Sequence, residues 1–589
     1  MKLPLLFSTM LVAVIGCGGS DPAVNSAPVA NAGLDKTQLT GDLVILDGSA
    51  SSDDDSDTLT YTWSLTSPDT SSSTLSKADT FHPTFTPDIN GTYTVTLRVN
   101  DGTVDSKSDV ITITAETPTF AQTFPDTVTI TENDQDSSVF ISALYLELDP
   151  TNISRISFTI TPKEGALAEA INATFDIDKL LLIESGVKLP IWGMYDNYEN
   201  SVDVTLYFTD NSEKVISHNV LTEQYVDPNS IYDQLLINQH IDVTSKPTYH
   251  YFYLESNLDQ GPIIMDIDGH IRWKTNTPTL MSRNVTFDDG AFIIQSESTL
   301  INLSLSGEKI IYPIEAPGLT DIIPHHELTT GKSGYLVNID ATKNDSWNIE
   351  TILLEVDKKG NYIAQWDFGE IITDHMLQNS DDPTKLVRDG IDWFHMNSAI
   401  YDPSDDSIIV SARELFVIKI DYSTKKIKWL LGDETKYWAE FPSLLALSLQ
   451  STDIKPIGQH ALSITDGQLM MFNNGQVSFK QPEGAPVGQR LPTSLAMKWT
   501  IDEENMAANN TWTYDAGFVS DICSSVYEKN GFYLLTYAAV DRVKPAPGRV
   551  VIQGIDPEKN IIFEFEQPLS AKPCATWNSD FIELNSLVY

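Results

Sequence analysis

Between residues 228 and 589 one pattern keeps returning: a strand, a turn of the Asp-x-x-Gly kind, and an aromatic residue closing the next strand. It reads MDIDGHIRW to Trp273, LSLSGEKIIY to Tyr312, VDKKGNYIAQW to Trp366 and IDYSTKKIKW to Trp429. MKW at Trp499 and IDPEKNIIFEF around Phe563 complete six units. Such a period constrains the fold more than any other feature, because each unit buries its apolar face only against its neighbours. Each unit is long enough for four strands. Six four-stranded units predict a six-bladed β-propeller over 228–589, whose innermost strands converge on one axis.

Convergence makes the histidines informative. The chain holds only ten. Three stand in similar contexts, each just ahead of a strand–turn–strand: His326 in PHHELTTGKSGYLV, His395 in DWFHMNSAIYDPSDD and His460 in GQHALSITDGQ. They are 69 and 65 residues apart, one repeat each. If one faces the axis, the matching positions do too. His325 competes with His326, and the His-x-Leu match to His460 favours His326. Arg413, in IIVSARELFVIKID, follows an apolar run and needs an anion; Asp392 and Glu414 are the nearby carboxylates, and a bound anion is the alternative. Arg283, in RNVTFDDGAFII, stands in a matching register in the second unit.

Three imidazoles on an axis allow two chemistries. They can hold a transition metal. Against this, no carboxylate shares their register, and an Arg repels a cation. Alternatively, one neutral imidazole attacks an electrophile bearing anionic oxygens, while the other imidazoles and the guanidinium hold those oxygens.

Upstream, 27–116 is a separate β unit. GTYTVTLRVNDG alternates as a half-buried strand, and Trp63 is its expected core aromatic. DGSASSDDDSDTLTYTW and GTYTVTLRVNDG resemble PKD domains, which are immunoglobulin-like sandwiches that space or bind. The acidic run 53–57 reads as a solvated loop, with Ca²⁺ as the alternative ligand. Residues 117–227 form a second, small β-sandwich, with strands in SRISFTITPKEG and SVDVTLYFTDNS and an unusual aromatic segment, LPIWGMYDNYENSV.

Residues 1–16 read as a signal peptide, too short in its apolar run to span a bilayer. Val14-Ile15-Gly16-Cys17 resembles the bacterial lipobox, which implies a lipid on Cys17, a tether over 17–28 and a periplasmic or surface location at the outer membrane. The membrane is then touched only through that anchor. Cys523 and Cys574 remain as a candidate pair. With 37 Lys and Arg against 82 Asp and Glu, a net charge of −45, nucleic acid is an unsuitable partner.

DWFHMNSAIYDPSDDSIIVSAREL, PHHEL, GQHALSITDGQLMMFNNG and GMYDNYENSV together resemble bacterial aryl-sulfate sulfotransferases of the nucleotide-independent type, over 117–589. The resemblance implies a small β-sandwich ahead of a six-bladed propeller, hence an all-β chain. It implies a ping-pong transfer without cofactor or metal, in which an aryl sulfate sulfurylates a His and a phenol takes the group. His460 matches the nucleophile, His395 and Asn397 the family's His-x-Asn, Arg413 the sulfate-binding Arg and His326 the remaining His. His325 and Arg283 stand as further substrate-binding candidates. Family sandwiches can dimerise, so a homodimer is a further implication. The family's close-spaced disulfide is missing. Two other classes compete: a non-enzymatic surface-binding lipoprotein and a metal-dependent propeller hydrolase.

Overall fold

In a computed structural model, the chain is described over 24–132, 138–227, 232, 235–240, 249–256, 261–276, 284–542, 548–568, 576–585 and 587–589. Cys17 with the leader before it, Arg283 and Cys574 lie outside the described residues. The chain is all-β and divides into two compact units, up to Pro125 and from Asp126 onward.

In the first unit a four-stranded sheet runs in the order Lys36–Leu39, Asp109–Glu116, Gly91–Asn100, Thr60–Thr66. A two-stranded pair, Val44–Ile45 with Thr84–Phe85, completes it. Alternation does the work here: Tyr93, Val95, Leu97 and Val99 are fully buried, while the threonines between them are not. Trp63 is buried as expected, its indole N–H donating to the Thr80 carbonyl at 2.9 Å. In the acidic loop, Asp53 Oδ1 accepts from the backbone N–H groups of Asp55 (2.9 Å) and Asp57 (3.2 Å), so this carboxylate shapes its own turn.

The second unit opens with a sandwich. Strands Glu213–Leu221, Glu199–Phe208, Ile153–Ile160 and Ile171–Asp176 form one sheet, and Leu181–Ile183, Gly186–Trp192, Ile141–Glu147 and Thr129–Glu132 the other. The chain's last strand, Leu587–Val588, returns to pair with Ile171–Asp176, and Tyr589 stacks on Phe175. The aromatic segment is the seam to the next sheet. Gly193, in the left-handed region at φ +88°, presents its carbonyl to Arg272 Nε (3.0 Å) and Nη2 (2.7 Å). Arg272 is fully buried, paired with Asp266 at 3.1 Å, with the Tyr195 ring 3.7 Å beneath it.

Six antiparallel sheets follow. The second to fifth begin with Asn284–Asp288, Thr320–Thr330, Met396–Asp402 and Gln459–Thr465, and each meanders through four strands. The first joins Tyr251–Ser256, Ile263–Asp266 and Ile271–Trp273 to a strand from the far end of the chain, Thr576–Ile582. The sixth, starting at Ser525–Lys529, takes a fifth strand, Leu236–His240, from near the beginning of the repeat region. Both ends of the region are therefore stitched into sheets made by the other end.

The repeated aromatics tie neighbouring sheets. Trp273, Trp366 and Trp429 lie in the outermost strands and are buried. Their indole N–H groups cross to the next sheet: Trp273 to the Leu305 carbonyl (2.7 Å), Trp366 to the Tyr422 carbonyl (3.0 Å), Trp429 to Glu503 Oε1 (2.9 Å). Trp499 differs, standing on the third strand of its sheet. Trp429→Ala is expected to lower stability by about 3–5 kcal/mol, read by denaturant unfolding, because it opens a cavity between two sheets and strips a donor from Glu503.

Candidate active site

Three neighbouring first strands break register at or just after the histidines: between Pro324 and Leu328, between Met396 and Ser398, and between His460 and Ser463. His326 and His395 sit in the left-handed region at φ 55°, as does Ala461 at 51°. An L residue is held there only when its surroundings impose it, and such bulges re-aim side chains. The matching is not strict: the left-handed residue is the histidine itself in two sheets and the residue after it in the third. The three rings converge all the same. His326 lies 4.8 Å from His395 and 6.5 Å from His460, between ring centroids.

A carboxylate cluster stands beside them, off the register that the histidines share. Glu350 comes from the third strand of its sheet, not from an inner strand, so register with the histidines could not reveal it. Its Oε2 is 2.9 Å from His395 Nδ1 and 3.2 Å from His326 Nε2, and its Oε1 is 2.5 Å from His325 Nδ1. Asp392 Oδ2 also takes His395 Nδ1, at 2.6 Å. Asp340 faces His325 Nε2 at 3.2 Å and accepts the Glu350 backbone N–H at 2.7 Å.

The charges follow. Burial works against a charged His325, but hydrogen bonds to Asp340 and Glu350 outweigh it and raise its pKa to about 10. His395 behaves alike: burial opposes, the Glu350 charge and the Asp392 hydrogen bond prevail, and the pKa rises to about 9. Glu350, despite burial, is held well below the carboxylate range by the His395 and His326 charges. His326 moves down, burial outweighing its bond to Glu350. The sites are close enough to titrate as a set.

His460 differs from all of these. It is buried, and burial first and the Arg413 charge second push its pKa well below the usual imidazole value. Its tautomer is defined by Asn474. The Asn474 amide donates to the carbonyls of Ser520 (2.8 Å) and Cys523 (2.9 Å), so its oxygen is the end facing His460 Nδ1, 2.6 Å away. The proton is therefore on Nδ1, and Nε2 carries a lone pair.

Arg413 ends up buried just past the end of its strand. Nη1 donates to Glu414 Oε1 at 2.7 Å, as one sequence alternative held, and the guanidinium lies over the Phe479 ring. Nη2 is buried without a hydrogen-bond partner among the described residues. Asn397 donates to the Gln459 carbonyl at 2.7 Å and leaves its oxygen free, on a cavity of about 10 Å³ shared with His460, Glu327, Ser524, Trp577 and Asn578. That is room for about one water. A larger cavity of about 690 Å³, lined by Lys179, Lys188, Trp192 and Tyr589 among others, opens at the sandwich seam and includes none of the clustered histidines. Cys523 is disulfide-bonded.

Two chemistries remain compatible with these donors. His325, His326 and Glu350, or Glu350, Asp392 and His395, bring ligand atoms within 4.8 Å of one another, as a metal requires. His460, by contrast, offers a lone pair on Nε2 in the field of the Arg413 guanidinium.

Residues 208–576 match the arylsulfotransferase family model, which is more than half of the chain. The chain belongs to the arylsulfotransferase family. The family's Ig-like domain model matches residues 141–224, and a PKD domain model matches residues 25–115. The arylsulfate sulfotransferase AssT of Lelliottia amnigena is 23% identical over 493 residues, covering 65% of this chain and 80% of that one. AssT of Escherichia coli is 22% identical over 474 residues, covering 63% and 77%. Among solved structures, the Myceliophteria thermophila Cps50 (Swd1) β-propeller domain aligns at 8% identity over 55% of this chain and 89% of that one, with a TM-score of 0.30.

Proposed function

We propose that this chain moves a sulfuryl group from an aryl sulfate to a phenol in two steps, through a sulfohistidine at His460. The observation that carries the reading is a neutral, tautomer-fixed His460 in the field of the buried Arg413 guanidinium, whose Nη2 has no hydrogen-bond partner among the described residues. Nucleophilic attack needs a lone pair that protonation does not remove, and burial supplies that condition. The three sulfuryl oxygens need donors, which His395 as an imidazolium and Arg413 provide. Glu350 holds His326 and His395 in place, and His325, with both ring nitrogens on carboxylates, steadies Glu350 in turn.

The six sheets are read as the blades of one closed propeller, with Thr576–Ile582 and Leu236–His240 as its fastenings. Lipidation at Cys17, a location at the outer membrane and pairing of two copies through the sandwich belong to the same proposal.

Pure protein given 4-nitrophenyl sulfate and phenol is expected to release nitrophenolate with no nucleotide donor present. The same assay after exhaustive chelation separates the metal reading. Unchanged rate supports transfer through His460, whereas a rate lost on chelation and restored by Zn²⁺ assigns the His–carboxylate cluster to a metal. Deleting 27–116 is expected to leave this rate unchanged, because that unit has its own core and supplies no residue to the cluster.

A further inference from the structure

We propose that Glu327 is the proton carrier of the transfer, the group that protonates the departing aryl oxygen and later deprotonates the acceptor. The inference rests on the sulfotransfer reading above. Among the residues lining the His460 cavity, only His460 and Glu327 titrate; the others are Asn397, Ala461, Ser524, Trp577 and Asn578. His460 has its lone pair committed to sulfur, so a proton moving in that cavity has one remaining ionisable partner.

Glu327 is built for this. It follows His326 in the chain and is buried, with Oε1 accepting from the Tyr527 hydroxyl at 2.5 Å and Oε2 without a hydrogen-bond partner among the described residues. Tyr527 is in turn 3.4 Å from Asn578 Nδ2, whose amide also donates to Glu255 Oε1 at 2.7 Å. One oxygen is thus anchored and the other is free to give or take a proton. A carboxyl with one unpaired oxygen in the cavity of the nucleophile can give a proton in one half-reaction and take one back in the other, which is what a shared carrier needs.

The steps balance. The His460 Nε2 lone pair forms the N–S bond as the S–O(aryl) bond breaks, its electron pair going to the aryl oxygen. That oxygen takes the proton from the Glu327 carboxyl, and a neutral phenol leaves. In the return step the acceptor hydroxyl gives its proton to the Glu327 carboxylate as its oxygen bonds to sulfur. The N–S pair then goes back to Nε2.

The test compares E327Q with the unaltered protein on two donors, 4-nitrophenyl sulfate and phenyl sulfate, using kcat/KM for the donor, which in a ping-pong scheme reports the first half-reaction alone. Nitrophenolate leaves without help; the far more basic phenolate of phenyl sulfate does not. E327Q is expected to lose about 10²-fold or more on phenyl sulfate and less than about fivefold on 4-nitrophenyl sulfate. The ratio between donors is read on one sample, so partial misfolding cancels. An equal loss on both donors, or none on phenyl sulfate, overturns the assignment. Unaltered protein silent on both donors removes the sulfotransfer reading itself. Y527F, which frees Oε1 but keeps the carboxyl, is expected to change that ratio by less than E327Q does, and a larger change than E327Q would also count against Glu327.

Discussion

Replacing His460 with Asn is expected to lower turnover of 4-nitrophenyl sulfate by about 10⁴-fold or more while leaving the fold intact. The size follows from its role: without Nε2 there is no covalent route, and the donors around it can bind an aryl sulfate but not pass on its sulfuryl group. The fold should tolerate the change, because His460 is held at one atom, Nδ1, by Asn474, and its strand pairs through backbone groups that the substitution leaves alone. Circular dichroism and denaturant midpoint check the fold, and nitrophenolate release checks the activity. A variant with wild-type rate in the presence of phenol places the nucleophile elsewhere.

The second large effect is expected at Glu350. Glu350→Gln leaves His325, His326 and His395 without their shared anion in a buried setting, and removing one partner of such a cluster costs about 3–5 kcal/mol. The pH dependence has a definite sign. His325 and His395 are raised in the folded state to about 10 and about 9, above the ordinary imidazole value near which they titrate when unfolded. Their stabilisation is therefore complete below about pH 6.5 and is lost as pH rises through about 9 to 10. Denaturant unfolding of the unaltered protein should show stability falling across that alkaline window, and E350Q should flatten the fall. Activity should fall too, because His395 then gives up its proton at lower pH and no longer donates as an imidazolium. A slope unchanged in E350Q would mean that Glu350 does not set these charges.

How much of this was legible from sequence depends on what repeats. The outer-strand aromatics recur with their turns, so the six units and their buried tryptophans could be counted, apart from Trp499, whose strand is third in its sheet. His326, His395 and His460 were found because a repeat brings equivalent inner positions together, although the bulges shift the last by one residue. Glu350, Asp340 and Asn474 were invisible to that reasoning. Each lies off the first strand of its sheet, and Glu350 is itself turned by a left-handed backbone at φ 50°. Asn474 carried one usable signal, the Asn-Asn-Gly after a buried strand, but nothing in the chain links it to a histidine fourteen residues earlier except the hairpin between them. The return of Leu587–Val588 to the sandwich was hidden for a simpler reason: two residues contain no periodicity to read.

The central claim is the covalent step at His460. Protein mixed with an aryl sulfate and no acceptor, quenched in base and digested, is expected to carry one acid-labile sulfuryl group on the peptide containing His460, and to lose it when phenol is added before the quench. Sulfuryl found on another residue, or none in protein that turns over aryl sulfate, would contradict the account.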